Sequence, residues 1–497
     1  MSQAHASASR RELACRNQSL PERSKQERLS SVRIAGQEWR KQMKVLQINT
    51  VYGSGSVGRI CMDLYEICEK NGIESYMAYG RGEIRTDING YKIGTTKDFV
   101  EHVLWNFVRG ESGFHSNMVT KAFLIYLEEL NPDVIHLHNI HGFYINTELL
   151  FDYIKKHNKK VIWTLHDCWP FTGHCAYFDY IACDKWKTGC KDCIIHASAY
   201  PYAIFCDSTE RMYPRKKAAY QGVKNLTIVT PSNWLAGLVK QSFLKEYPVK
   251  VIPNGIDLSK FHADASLPEN LQFLVAPSGA EERLKAQKAS ENTKKHTKEH
   301  IEERVEEYTE KRAEEHTEEY VPYILGVANV WEHRKGLSVF EHLADDMSKL
   351  YKATKSIPYR IVLVGLSKKQ IRKLQKKYKK EVLLCLERTQ NVEELAGLYA
   401  NAAAYVNATL EDNFPTTNLE ALACGTPVIT FRTGGSGEAV DESCGKVITK
   451  GDYEALTDAI VQTVIAKPFS VEDCVKRAQL YGKQERFMEY LKLYRER

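Results

Sequence analysis

The sequence predicts an α/β protein made of two successive halves, each a parallel sheet flanked by helices. Two observations carry this expectation. Short apolar runs alternate with amphipathic stretches along most of the chain, and a charged stretch of different composition divides them into two series. With 497 residues, the chain is long enough to bury a core in each half.

The first series opens at Met43 with KVLQINTVYGSGSVGR, a strand running into a glycine-rich turn. It continues through the run ending VIHLHNI, the helical TELLFDYIKKHNKK, and the strands VIWTLHD, NLTIVTPS and VKVIPNGID. The second series contains YILGVANV, YRIVLVGLS, AAAYVNAT and TPVITFR. Between them, from about Ala280 to Tyr320, charges of both signs repeat with almost no apolar residue, so this stretch cannot bury a core. Its Glu and Lys residues often stand three or four apart, which suits an exposed helix; a solvated helix, a disordered insertion and a docking helix are the readings open. Residues 1–42 are polar and charged and are expected to be a disordered leader. The expected domains are therefore 43–260, a linker with the insertion over 261–320, 321–480, and a closing helix over 481–497 that contains RFMEYLKLYRER.

Composition narrows the class. Hydrophobic residues make up 43% and charged residues 27%, as in a soluble globular protein. Apolar runs fall short of the roughly 18 to 20 residues that span a bilayer, and MSQAHASASRRELACRNQSL lacks the apolar core of a secretory signal. Thirteen scattered cysteines argue against a secreted disulfide framework, and a net charge of +6 is mild for this size. The expected location is cytoplasmic, and no nucleic-acid partner is expected.

Gly53, Gly55 and Gly58 spell G-x-G-x-x-G after a strand and before a helix. Glycines there let the backbone approach a phosphate or sugar, and the helix N-terminus favours negative charge. The acid that a dinucleotide enzyme places at the end of the second strand is missing, because YMAYGRG runs into Gly80 and Arg81. The second half is more informative. In ATLEDNFPTTNLEALACGTPVITFRTGG, Asp412 precedes a turn at Phe414 and Pro415, and Glu420 follows on a helix. Thr416 and Thr417 fall at that helix N-terminus, where free N–H groups and the dipole can hold a diphosphate. Glu420 is placed to meet ribose hydroxyls and Asp412 to meet the hydroxyls of a sugar.

This segment resembles the acid-x7-Glu motif of retaining glycosyltransferases of the GT-B fold, particularly glycosyltransferase family 4. Its first position is usually Glu; Asp412 stands there here, as in EDNFP and EDNLP variants of bacterial surface-polysaccharide transferases. Other segments resemble the family in the expected order. VIPNGIDLSKF leaves the first domain, and ILGVANVWEHRKG places Arg334 and Lys335 after the first strand of the second domain. In that loop Val327 replaces the Arg often found after the strand glycine, and the loop is longer. The resemblance implies two Rossmann-like domains facing a cleft, with a C-terminal helix crossing back to the first domain. It implies His166, Lys335 and Asp412 as catalytic residues. Donor binding would fall to Gly55, Arg334, Lys335, Phe414, Pro415, Thr416, Thr417 and Glu420. A nucleoside-diphosphate sugar would be the donor, and a glycan or lipid-linked molecule the acceptor, in capsule, lipopolysaccharide or exopolysaccharide assembly at the inner membrane face. The absence of a D-x-D motif leads us to expect no catalytic metal.

Several residues have a plainer reading: His166 as a strand-end histidine, Glu420 as a surface or capping residue, and Lys335 as a solvated lysine. The run Lys368–Lys380 reads as a solvated amphipathic helix, with anionic lipid as the alternative. Cys175, Cys183, Cys190 and Cys193 end in C-x-x-C, and two readings stand for them: a structural Zn²⁺ held by four thiolates, or disulfides and free thiols. Rival functions are an NAD(P)-dependent oxidoreductase resting on the glycine turn and a non-catalytic sugar-nucleotide binder. A third is a metal-dependent hydrolase built on His136, His138 and His141. The oxidoreductase leaves the second-half motif unexplained, and the histidine run lacks the aspartate of a binuclear hydrolase.

Overall fold

The apolar segment Lys44–Val51 is buried along its interior positions, as a strand covered on both faces must be, and it forms an inner strand, β1, of the first half. The computed structural model describes residues 42–275 and 321–496. The leader expected over 1–42, apart from Gln42, and the charged insertion from Ala280 to Tyr320 lie outside the described residues.

Strands β2 (Glu74–Arg81), β3 (Gly90–Lys92), β4 (Val134–Leu137), β5 (Lys160–Thr164), β6 (Leu226–Thr230) and β7 (Val249–Val251) complete a seven-stranded sheet in the order β3-β2-β1-β4-β5-β6-β7. Every pairing is parallel; Ile48, for instance, sits opposite Ala78 on one side and Leu137 on the other. Parallel neighbours require crossovers, supplied by helices α1 (Gly55–Lys70), α2 (Thr96–Arg109), α3 (Asn117–Leu130), α4 (Thr147–His157), α5 (Thr209–Tyr220) and α6 (Asn233–Val239).

The second half repeats the plan. Strands β8 (Tyr323–Val327), β9 (Arg360–Val364), β10 (Leu383–Leu386), β11 (Ala404–Asn407), β12 (Val428–Arg432) and β13 (Gly445–Thr449) form a parallel sheet in the order β10-β9-β8-β11-β12-β13. Around it lie α7 (Leu337–Thr354), α8 (Lys368–Lys377), α9 (Val392–Ala400), α10 (Thr416–Ala423), α11 (Tyr453–Ala466) and α12 (Val471–Gln479). Phe261, Leu267, Leu271 and Leu274, which follow the first half, are buried in this second core.

The last helix, α13 (Lys483–Arg495), returns to the first half. Phe487, Tyr490, Leu491 and Tyr494 pack with Val45, Leu64 and Ile67, and the Tyr494 hydroxyl lies 2.6 Å from His136 Nδ1. Where the chain crosses between halves its two passages run side by side: Ile256 N–H donates to Tyr481 O at 2.8 Å and Lys483 N–H to Ile256 O at 2.9 Å. Both halves thus have the Rossmann-like, doubly wound strand order. In such sheets ligands bind beyond the C-terminal ends of the strands where the winding reverses, here beside β1 and β4 and beside β8 and β11. Among the described residues, no helix is long and apolar enough to cross a membrane.

Candidate active site

Those two reversal points face one cavity of about 490 Å³. From the first half its wall includes the end of β1, the glycine turn and the loops after β4 and β5, where Gly55 and His166 lie. The second half contributes the loop after β8 with Arg334 and Lys335, and the loop after β11 with Asp412. Phe414, Pro415, Thr416 and Thr417, at the start of α10, close that side.

Local backbone chemistry places these groups. Gly55 has φ of +65°, a region costly for residues with a Cβ, so the chain turns sharply from β1 into α1. Gly336 ends the short 3-10 turn His333–Lys335 at φ +75°, and a Cβ there would sit 2.0 Å from Ala408 O. The basic pair is therefore pressed against the loop leaving β11. Leu410 N–H donates to Arg334 O at 2.6 Å, and the Trp331 indole N–H anchors the same loop on Val364 O at 2.9 Å.

Lys335 Nζ donates to the Asp412 carboxylate in a partly buried ion pair. Burial disfavours the Asp412 charge, but Lys335 and Arg334 outweigh it and hold the carboxyl below its ordinary pKa. Arg334 donates to Glu411 O at 3.1 Å, and its guanidinium lies 3.9 Å over the Tyr177 ring. Glu420 sits one turn behind Thr416, buried, and accepts from the Tyr399 hydroxyl at 3.1 Å; it stands behind the cavity wall. Burial pushes its carboxyl up.

On the first-half side, His166 Nε2 lies 3.1 Å from His138 Nδ1 and the two rings stack. Burial lowers His166 to about 4, so its imidazole is neutral near pH 7. The run His136, His138 and His141 does not converge on one point. His136 bonds Tyr494 and Thr164, His138 meets His166 and Gln47, and His141 pairs with Asp167 at 2.8 Å and with Tyr200. The rings serve packing and hydrogen bonding rather than one shared ion.

Sequence reasoning missed three residues. Tyr177 comes from the cysteine-containing segment and meets Arg334 across the cleft. The Asp167–His141 pair joins two loops far apart in the chain. Glu411, next to Asp412, binds backbone of the first half at 3.1 Å; the acid-x7-Glu spacing draws attention to its neighbour instead. Asp167 and Glu411 stand in segments already quoted, but only long-range contacts reveal their partners.

Cys175 is buried, while Cys183, Cys190 and Cys193 are half-buried around it. Burial raises Cys175, and the nearby thiols of Cys193, Cys190 and Cys183 raise it further. The described cysteines are all free. Among the described residues no group of three or more His, Cys, Asp or Glu side chains is arranged to hold a metal ion.

Two doubly wound domains with basic residues, acids and a helix N-terminus at a shared cleft define the GT-B class of group-transfer proteins. The chain belongs to the family 4 glycosyltransferases: the model of Glycosyltransferase Family 4 matches residues 57–260 and that of Glycosyl transferases group 1 matches residues 321–465. WcaC of Escherichia coli strain K12, assigned as a glycosyl transferase of colanic acid biosynthesis, is 26% identical over 249 residues. That alignment covers 46% of this chain, which spans only 58% of the relative's length. Among solved structures, sucrose-phosphate synthase of Thermosynechococcus elongatus aligns with a TM-score of 0.59 at 16% identity, covering 91% of this chain and 98% of the other. HepE of Anabaena, in complex with UDP-glucose, aligns at 0.53 and 12% identity, covering 91% and 100%. At such identities the likeness is one of fold.

Proposed function

We propose that the protein transfers a sugar from a nucleoside diphosphate to a hydroxyl of a glycan or lipid-linked acceptor, with retention at the anomeric carbon, in surface-polysaccharide assembly. One observation carries the reading: Arg334, Lys335 and the α10 N-terminus converge on the side of the cavity opposite the glycine turn. Three sources of positive potential suit a departing diphosphate. UDP-glucose in the HepE complex and colanic acid in the assignment of WcaC support the donor class and the biosynthetic setting.

In this mechanism negative charge grows on the diphosphate as the glycosidic bond breaks. Lys335 and Arg334 stabilise that charge, while Asp412, released from Lys335, meets sugar hydroxyls. The leaving phosphate takes the proton of the acceptor hydroxyl on the same face, and neutral His166 lines the sugar side. Glu420 supports the nucleoside end. None of these steps calls for a metal. Lys335→Ala should lower turnover, and Glu420→Ala should raise the donor KM, each by about tenfold or more. Release of nucleoside diphosphate from sugar nucleotides measures both, and unchanged kinetics in both variants would overturn the site.

Two finer points belong to the same proposal. Contact with a membrane surface is supported by α2, whose exposed side carries Val100, Leu104, Trp105 and Val108, with Phe205 on a segment bonded to Phe107. Leu104→Glu should reduce co-sedimentation with anionic vesicles; unchanged binding would remove this surface. Structural zinc is supported by the crowding of three further thiols around that of Cys175, although uptake requires the four to close in further. Elemental analysis should find about one zinc per chain, and a metal-free folded protein would dismiss it.

A further inference from the structure

Glu411 is the more deeply buried of the two adjacent acids, with 0% exposure, yet it takes no part in the cavity wall. Its side chain reaches across the cleft, where its two oxygens accept the backbone N–H groups of Phe178 and Tyr180, each at 3.1 Å. Both donors lie in the cysteine-containing segment of the first half. Asp179, between them, is also met by Lys450 of the second half at 3.4 Å. The neighbouring Tyr177 carries the Arg334 guanidinium on its ring, and Arg334 in turn donates to the carbonyl of Glu411. Residue 411 thus binds the segment through its side chain and Arg334 through its backbone.

A buried carboxylate is an expensive way to fasten a loop. Apolar packing of the same volume would hold it as well or better, whereas an acid bonded to particular N–H groups fixes one arrangement. Here the fixed arrangement includes the orientation of Arg334 at the cavity edge.

We propose that Glu411 is a positioning residue: its carboxylate clasps segment 177–180 of the first half onto the second half and so holds Arg334 between Tyr177 and the donor cavity. The role of Arg334 toward a diphosphate rests on the function proposed above; the clasp itself does not. The cleft can then open at this edge only by breaking the clasp or by carrying the segment along with the second half.

The test compares the full chain with its Glu411→Ala, Glu411→Gln and Tyr177→Ala variants, and with the double variant Glu411→Ala, Tyr177→Ala. In hydrogen exchange, peptides covering 177–182 should exchange about tenfold faster in Glu411→Ala while β1 and β8 keep their protection. Glu411→Gln, which retains an acceptor oxygen, should fall between; it carries the test if the alanine variant does not fold. With UDP, GDP and ADP as probes, affinity should drop about tenfold in either single variant and little further in the double variant, because both act through Arg334. Donor KM should rise more than kcat falls. Unchanged exchange in a folded Glu411 variant, or additive losses in the double variant, would overturn the proposal. If the wild-type chain binds none of the three nucleotides, the functional reading fails and the exchange comparison alone decides the clasp.

Discussion

Asp412 and Lys335 neutralise one another at the cavity, and removing either member leaves the other charged in a partly desolvated place. The pair is neither fully buried nor on the surface, with side-chain exposures of 23% for Lys335 and 14% for Asp412. Asp412→Ala should therefore cost about 1–3 kcal/mol, between the values for exposed and buried pairs, as measured by urea unfolding. Because the folded carboxyl is held low, its contribution is present above the unfolded pKa near 3.8 and is lost as pH falls below it. Imidazoles decide the milder acid response. Burial holds His102 and His136 at about 3, His166 and His174 at about 4, and His138 well below its ordinary value. Between about pH 4 and 6.5 the unfolded chain binds up to five protons that these folded sites refuse, so stability is lost as pH falls through that window. Glu411, raised by burial to about 7, and Glu420, also raised by burial, have the opposite sign, but they are two groups against these five. The urea midpoint should be lower at pH 5 than at pH 7.5; a higher one would contradict this balance. At this scale the sequence was only half legible. Lys335, Asp412 and Thr416 stand on a turn, a loop and a helix start set by local pattern, whereas the partners of Glu411 and Asp167 depend on contacts between distant segments.

Elements were easier to read. Strands such as Tyr323–Val327, and Arg360–Val364 after its first residue, are uninterrupted apolar runs because both faces of a parallel sheet are covered, and that pattern survives without knowledge of the fold. What local pattern could not supply is where a short turn is pressed. Gly336 shows this: its conformation and its distance from Ala408 O leave no room for a side chain, yet in the sequence it is one glycine after a lysine. Gly336→Ala should destabilise the second half by about 2 kcal/mol or more and displace Lys335, lowering turnover along with the melting temperature. The basic helix α8 likewise resolves only in context, since Lys373 and Lys377 pair with Glu341 and Asp345 of α7. For α13, Phe487→Ala should cost about 3–5 kcal/mol, because its ring is buried among first-half residues.

For the whole molecule, the proposed function depends on two halves meeting. Besides the Glu411 contacts, Ser232 donates to Asn413 at 2.6 Å, and Glu438 accepts from Asn233 and Trp234 N–H groups at 2.8 Å each. These bonds join the two halves, and the paired passages at Ile256 and Gly482 carry the chain between them. A donor held by both halves gives the closed form more contacts than the open one, so ligand and closure should favour each other. The donor site is tested most directly by a thermal-shift titration of the full chain with UDP, GDP, ADP and their sugar conjugates, repeated on Lys335→Ala. A native-state ligand raises the melting temperature by mass action. One nucleotide family should stabilise the wild type, with a much smaller shift in the variant at equal concentration. No shift with any of them at millimolar concentration, or equal shifts in both proteins, would contradict the donor site.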